Sequence, residues 1–173
     1  MLGVIHASAQ QPSSVATQSA KLNLSNVIEI VFVKTGDKVG PVVDMEFNSV
    51  DDFSDGVTSD DQEILVNSNK DFSVCVESAS SSFKYSGSAS PAPNMPVSGN
   101  LGLRVRENKT GGSISSPFSY SSYNNINVNC QRLFNDCDKG GKRSFKVKYE
   151  ATPGFQYPAG IYSVDVIYTA TQI

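Results

Sequence analysis

The chain has no tryptophan, and its single histidine, His6, stands near the start. Past that point no Ser-His-Asp or Cys-His nucleophile can be built, and no imidazole is on hand for zinc. A glycine-rich phosphate loop is absent as well. Carboxylate pairs of the glycosidase kind can be drawn anywhere in an Asp-rich chain, so they mark no site. No catalytic residue, metal or cofactor is therefore expected. Charge is sparse: charged residues are 18% of the chain and the formal net charge is −3. Nucleic acid demands clustered Lys and Arg. The longest basic stretch, Lys139-Gly140-Gly141-Lys142-Arg143, reads as a solvated turn. No apolar run reaches the ~18 residues of a membrane-spanning helix, and no stretch holds a helical period.

What the chain has is period-two alternation. From Tyr157 to Ala170, Pro158 and Gly160 punctuate the start, and Tyr162, Val164, Val166 and Tyr168 then fall on one face. This predicts a C-terminal core strand. Lys21 to Lys34 is the second strong region: Leu22, Leu24, Ile28, Ile30 and Phe32 share one parity, and Val27, Val31 and Val33 the other. A strand apolar on both faces lies between two layers or pairs with another chain. We expect it to partner the C-terminal strand. Thr35-Gly36-Asp37-Lys38 reads as a turn.

Shorter strands are expected at Val42 to Phe47, Ile64 to Val66, Phe72 to Val76, Phe83 to Tyr85, Leu101 to Val105, Ile126 to Val128 and Phe145 to Tyr149. Ser88 to Pro96, with three prolines, is a surface loop, and Ser115 to Tyr123 is ambiguous. Short strands with Gly, Pro and Asn between them spell an all-β antiparallel sandwich. The organisation expected is a secretory-signal remnant at 1–9, a flexible arm at 10–20 and one β-sandwich domain at 21–173. The remnant rests on Ala7-Ser8-Ala9, which matches the small-residue cleavage pattern, with cleavage before Gln10.

Three features invite chemistry. The acidic run Asp51 to Asp61 is the one cation candidate. Phe53 occupies its third position and Gln62 its twelfth, where a calcium loop needs oxygen ligands. A solvated acidic loop is the better reading, with no metal. The cysteines number three. Cys130 and Cys137 flank a short polar stretch whose turn would join them, and this pair is expected. Cys75 is then the free thiol, or else partners one of the other two across the sheets. Tyr120 and Tyr123, set among Ser and Asn, have the composition of a recognition loop and are a possible contact for carbohydrate.

The segments Lys21-Leu22-Asn23-Leu24-Ser25-Asn26-Val27-Ile28-Glu29-Ile30, Asn67-Ser68-Asn69-Lys70-Asp71-Phe72-Ser73-Val74 and Tyr157-Pro158-Ala159-Gly160-Ile161-Tyr162 resemble those of secreted bacterial β-sandwich proteins. The ending is similar to that of spore-coat-protein-U-like domains and archaic chaperone–usher pilins. The resemblance implies an immunoglobulin-like sandwich, export from a Gram-negative-type bacterium, and a non-enzymatic surface or fibre subunit. In such pilins the N-terminal extension of one subunit completes the sheet of the next. The free arm here is poor in large apolar residues, so the donor pattern is Leu22 to Phe32, unless that segment completes its own sheet and the protein is a monomeric binding module. Self-association or other surface subunits are the implied partners.

Overall fold

A computed structural model describes residues 14, 16, 18–33 and 42–173. The signal remnant at 1–9 and the turn at Thr35-Gly36-Asp37-Lys38 lie outside the described residues, as does most of the arm at 10–20.

Among the described residues twelve strands and one short helix follow in chain order: β1 Ile28–Phe32, α1 Val50–Asp55, β2 Val57–Thr58, β3 Gln62–Ser68, β4 Phe72–Ser78, β5 Lys84–Ser86, β6 Leu101–Lys109, β7 Ser113–Ile114, β8 Asn124–Asn125, β9 Gln131–Cys137, β10 Gly140–Ala151, β11 Ile161–Ser163 and β12 Val166–Gln172. One sheet has the order β1-β3-β10-β6-β8, with β2 on the end of β10. The facing sheet has the order β12-β4-β9-β7, and β5 and β11 make a small ribbon beside them. All pairings are antiparallel. The fold is an all-β, immunoglobulin-like antiparallel sandwich.

Alternation builds its core. Ile64 and Val66 of β3, Leu103 and Val105 of β6, and Phe145 and Val147 of β10 are fully buried from one sheet. Phe72, Val74 and Val76 of β4 and Leu133 and Phe134 of β9 meet them from the other. Burial of side chains this size contributes about 1.5–3 kcal/mol each.

Several expectations change. The C-terminal run is two strands, not one: Tyr162 lies on β11 against Tyr85 of β5, and the chain breaks at Val164 and Asp165 before β12. Alternation survives the break, so Val164, Val166 and Tyr168 still pack on the core. The ladder partner of β12 is β4, not the Leu22–Phe32 segment. That segment is itself divided: Ile28–Phe32 pairs with β3, and Leu22 and Leu24 stand outside any strand. Val42 to Phe47 is not a strand, although Val43 and Met45 pack on the core. Ser88 to Pro96 is a loop whose end turns inward, burying Met95 and then Val97.

The acidic run holds α1, which no period could announce in six residues. A capping box starts it: Ser49 Oγ accepts from Asp52 N–H, and the Asp52 carboxylate accepts from the Ser49 N–H at 2.7 Å. Both interactions satisfy amide donors that the first turn leaves without partners.

The expected Cys130–Cys137 disulfide is wrong. The residues between them form β9, and seven extended steps separate their Cα atoms by ~23 Å, against a limit near ~7 Å for a disulfide. Cys75 bonds Cys130 instead, with Cα atoms 5.5 Å apart, and Cys137 is a free, fully buried thiol. The register explains the pairing. Arg132 faces Cys75 and Gln131 faces Val76, which lands residue 130 beside β4. β9 escaped detection because it is bulged. It uses one residue more than β4 between Phe72↔Cys137 and Val74↔Phe134, with Asp136 at φ 51°, and again between Val74↔Phe134 and Cys75↔Arg132, where the extra residue is Leu133, so Leu133 and Phe134 are both buried in succession.

The disulfide spans a sequence separation of 55. Such a link constrains the unfolded chain by about 4 kcal/mol on the entropic account, with ~2–4 kcal/mol typical in practice. Cys130→Ser is expected to lose stability of that order in urea titrations. Non-reducing peptide maps should show Cys75 joined to Cys130, with Cys137 alkylated only after denaturation. A Cys130–Cys137 peptide would contradict this.

Candidate functional site

Both sheets end on the same side of the sandwich, one in β1 and the other in β12. Among the described residues each has a ladder on one side only, β1 with β3 and β12 with β4. Val33 N–H donates to Glu63 C=O, and Val27 C=O accepts from Asn69 N–H. Antiparallel alternation then turns the backbone groups of Ile28, Ile30 and Phe32 to the open side. Likewise Asp165 C=O and Ile173 N–H bond toward β4, so the backbone groups of Val166, Tyr168 and Ala170 face outward.

Between the two strands runs an apolar seam. Ile30 from β1 and Val166, Tyr168 and Ala170 from β12 are partly buried against the core. The Phe32 ring meets Tyr168 edge-on at 5.9 Å. Tyr168 continues to Phe145 at 6.1 Å, and Phe145 to Phe134 at 4.8 Å, so an aromatic chain links the edge to the core. The Tyr168 and Tyr149 hydroxyls share a hydrogen bond of 2.6 Å. Burial pushes both phenols above their ordinary value.

At one end the seam is closed by amides. Gln172 Nε2 donates to Val27 C=O at 2.8 Å and to Ser68 Oγ and Asn69 Oδ1, each at 3.1 Å. Asn69 Nδ2 donates to Ser25 C=O, and Asn69 Oδ1 accepts from Val27 N–H. This clamp fixes where the N-terminal segment leaves the domain. Beyond it Leu22 and Leu24 are 84% and 91% exposed.

The opposite side of the sandwich is different. There the sheets end in β8 and β7, two residues each. Short edge strands are one of the ways proteins prevent edge-to-edge pairing. β12 uses no such device: it is seven residues long and free of charge, proline and glycine.

The other sequence candidates do not converge on this site. Tyr120 is exposed, whereas Tyr123 lies beneath Arg104, with its guanidinium carbon 4.7 Å from the ring centre. Desolvation raises the Tyr123 phenol. In the acidic run, Asp52 is held low by the Asn48 and Ser49 amides, and Asp61 pairs with Arg106 at 3.3 Å. Among the described residues no three His, Cys, Asp or Glu side chains group as metal ligands. No helix among them is long and apolar enough to cross a membrane.

Fold and edge together define an immunoglobulin-like sandwich with one long edge that has no second ladder among the described residues. No family model matches the chain, and no curated protein matches it.

The Tyr149–Tyr168 pair sets a pH dependence. Both phenols favour the neutral form when folded, so their contribution is complete below the unfolded value of about 10 and is lost as pH rises above it. Alkaline unfolding is expected to set in above about pH 10, and Tyr149→Phe/Tyr168→Phe should flatten the fall. An unchanged slope in that double variant would show that the pair does not titrate with unfolding.

Proposed function

We propose that the protein is a non-enzymatic, exported structural subunit that assembles by β-strand addition, in the manner of the fibre proteins its ending resembles. The single observation that carries this reading is the asymmetry of the edges. On one side they are two residues long, and on the other β12 offers seven uncharged residues over an apolar seam. A strand laid along β12 gains main-chain hydrogen bonds and places alternate side chains toward the seam.

The donor is the segment before β1. Ile28–Phe32 is already used within the domain, which leaves Leu22 and Leu24 as the apolar anchors, two residues apart as a strand requires. A strand from a second copy buries them and relieves the exposure of Phe32 nearby. The Cys75–Cys130 disulfide is compatible with an oxidising, extracellular compartment. Ala7-Ser8-Ala9 supplies a rationale for export.

Electron microscopy of the native extracellular fraction tests the reading, with filaments containing this chain as the expected result. Leu22→Asp/Leu24→Asp is expected to abolish filaments. It should change monomer stability by no more than about 0.5 kcal/mol, as for other exposed positions. A monomer that binds a glycan array through Tyr120, with or without the leucines, would replace this reading by that of a carbohydrate-binding module.

A further inference from the structure

The two ends of the sandwich differ in chemistry. β10 runs the length of the domain, its twelve residues spanning ~40 Å. At its Gly140 end lie Lys139 in the β9–β10 turn and Lys142 and Arg143 at the start of β10, next to Lys70 in the β3–β4 turn and interleaved with Asp71, Asp136 and Asp138. Lys70, Lys139 and Lys142 have no ion pair among the described residues, and Arg143 has a long one to Asp138 at 3.8 Å.

At its Ala151 end β10 meets β2, and α1 precedes β2 directly. Here Phe53 stacks on Phe155 at 5.6 Å and touches Phe47 at 5.3 Å. With Val50 and Tyr157 they line an open pocket of about 440 Å³. Phe155 is 67% exposed and Val50 is 72% exposed. Every charged residue from 42 to 61 is acidic, and Glu46, Asp51, Asp52 and Asp55 ring this pocket's helix without a cationic partner among the described residues.

Resting on the strand-addition reading, direction decides which ends meet. The arm leaves its own domain at the clamp of Asn69 and Gln172, which is the β9–β10 turn end. Paired antiparallel to β12, the more stable arrangement, the arm's Leu24 side sits at the Val166 end of the acceptor. That is the α1 end, since Val166 faces Ser78 at the far end of β4 from Phe72. The end of one copy that carries Lys139 and Lys142 is thereby brought against the acidic, aromatic end of the next.

We infer that the α1 pocket is a docking site for a second copy of this chain, whose β9–β10 turn seats there. Lysine stems at 139 and 142 cover the Phe155 and Phe53 rings, and their ammonium groups reach Asp51 and Asp55. Lys and Arg side chains are suited to this split, with an apolar stem and a charged head. The two glycines at 140 and 141 keep the turn slim enough to enter. Lysines on one side of this contact and carboxylates on the other give every added subunit the same orientation.

Charge reversal in the full-length chain tests this. Lys139→Glu/Lys142→Glu and Asp51→Lys/Asp55→Lys are each expected to raise the critical concentration for filament formation about tenfold at low salt. Carrying all four changes in one chain should restore it, and half-molar salt should erase the differences. Carbodiimide treatment of wild-type filaments should join Lys139 or Lys142 of one copy to Asp51 or Asp55 of another. Reversed chains that assemble as wild type, while Leu22→Asp/Leu24→Asp does not assemble, would overturn the docking site alone. A wild-type chain that forms no filament would overturn both readings.

Discussion

A hydrogen-bonded ladder has two ends, and this molecule treats them unequally. A backbone N–H or C=O that is removed from water without a partner costs free energy comparable to a lost hydrogen bond. Edge groups are tolerated only while water reaches them. On the β7/β8 side the ladders taper to two residues and little backbone is left to satisfy. On the β1/β12 side two full strands present outward amides beside half-buried apolar side chains. Water can satisfy the amides there, but it leaves the apolar seam exposed. A paired strand meets both demands at once.

The edge is held in place from behind. Tyr168 is fixed by its hydroxyl bond to Tyr149 and by ring contacts with Phe32 and Phe145. Phe145 in turn packs on Phe134 of β9. β9 is fixed to β4 by the Cys75–Cys130 bond, and β4 carries β12. The side chains lining the seam thus belong to the same packed unit as the core. In the proposed strand addition this rigidity would lower the ordering cost, because only the arm would have to be immobilised.

Much of the sandwich was legible in the sequence because alternation is a direct image of burial. Leu101, Leu103 and Val105, and Phe145, Val147 and Tyr149, alternate in the sequence and are buried in the structure. Legibility failed where geometry departs from period two. The bulge at Leu133 put Leu133 and Phe134 inside together and disguised β9 as a loop, which carried the wrong disulfide with it. α1 was hidden because six residues hold less than two helical turns. The edge could not be read at all. Which strand is last in a sheet is a property of strand order, and the apolar run from Leu22 to Phe32 looks the same whether its residues pair at home or away. Only the ladder with β3 divides Ile28–Phe32 from the free leucines.

That division also gives the chain a direction. A strand is polar, so an arm anchored at one end of the sandwich can complete a neighbour's edge antiparallel in one sense only. The clamp at Asn69 fixes the anchor at the end bearing Lys139 and Lys142. The acceptor's seam opens toward the end bearing Phe53, Phe155 and the carboxylates of α1. Charge on exposed surfaces contributes little to the stability of a single domain. It has more leverage on encounter and orientation, where like ends repel and unlike ends attract. In the proposed assembly, Lys139 and Lys142, which have no ion pair among the described residues of the isolated sandwich, gain carboxylate partners when copies follow one another end to end. On that proposal the edge supplies the binding free energy, and the contact between lysines and carboxylates sets its sense.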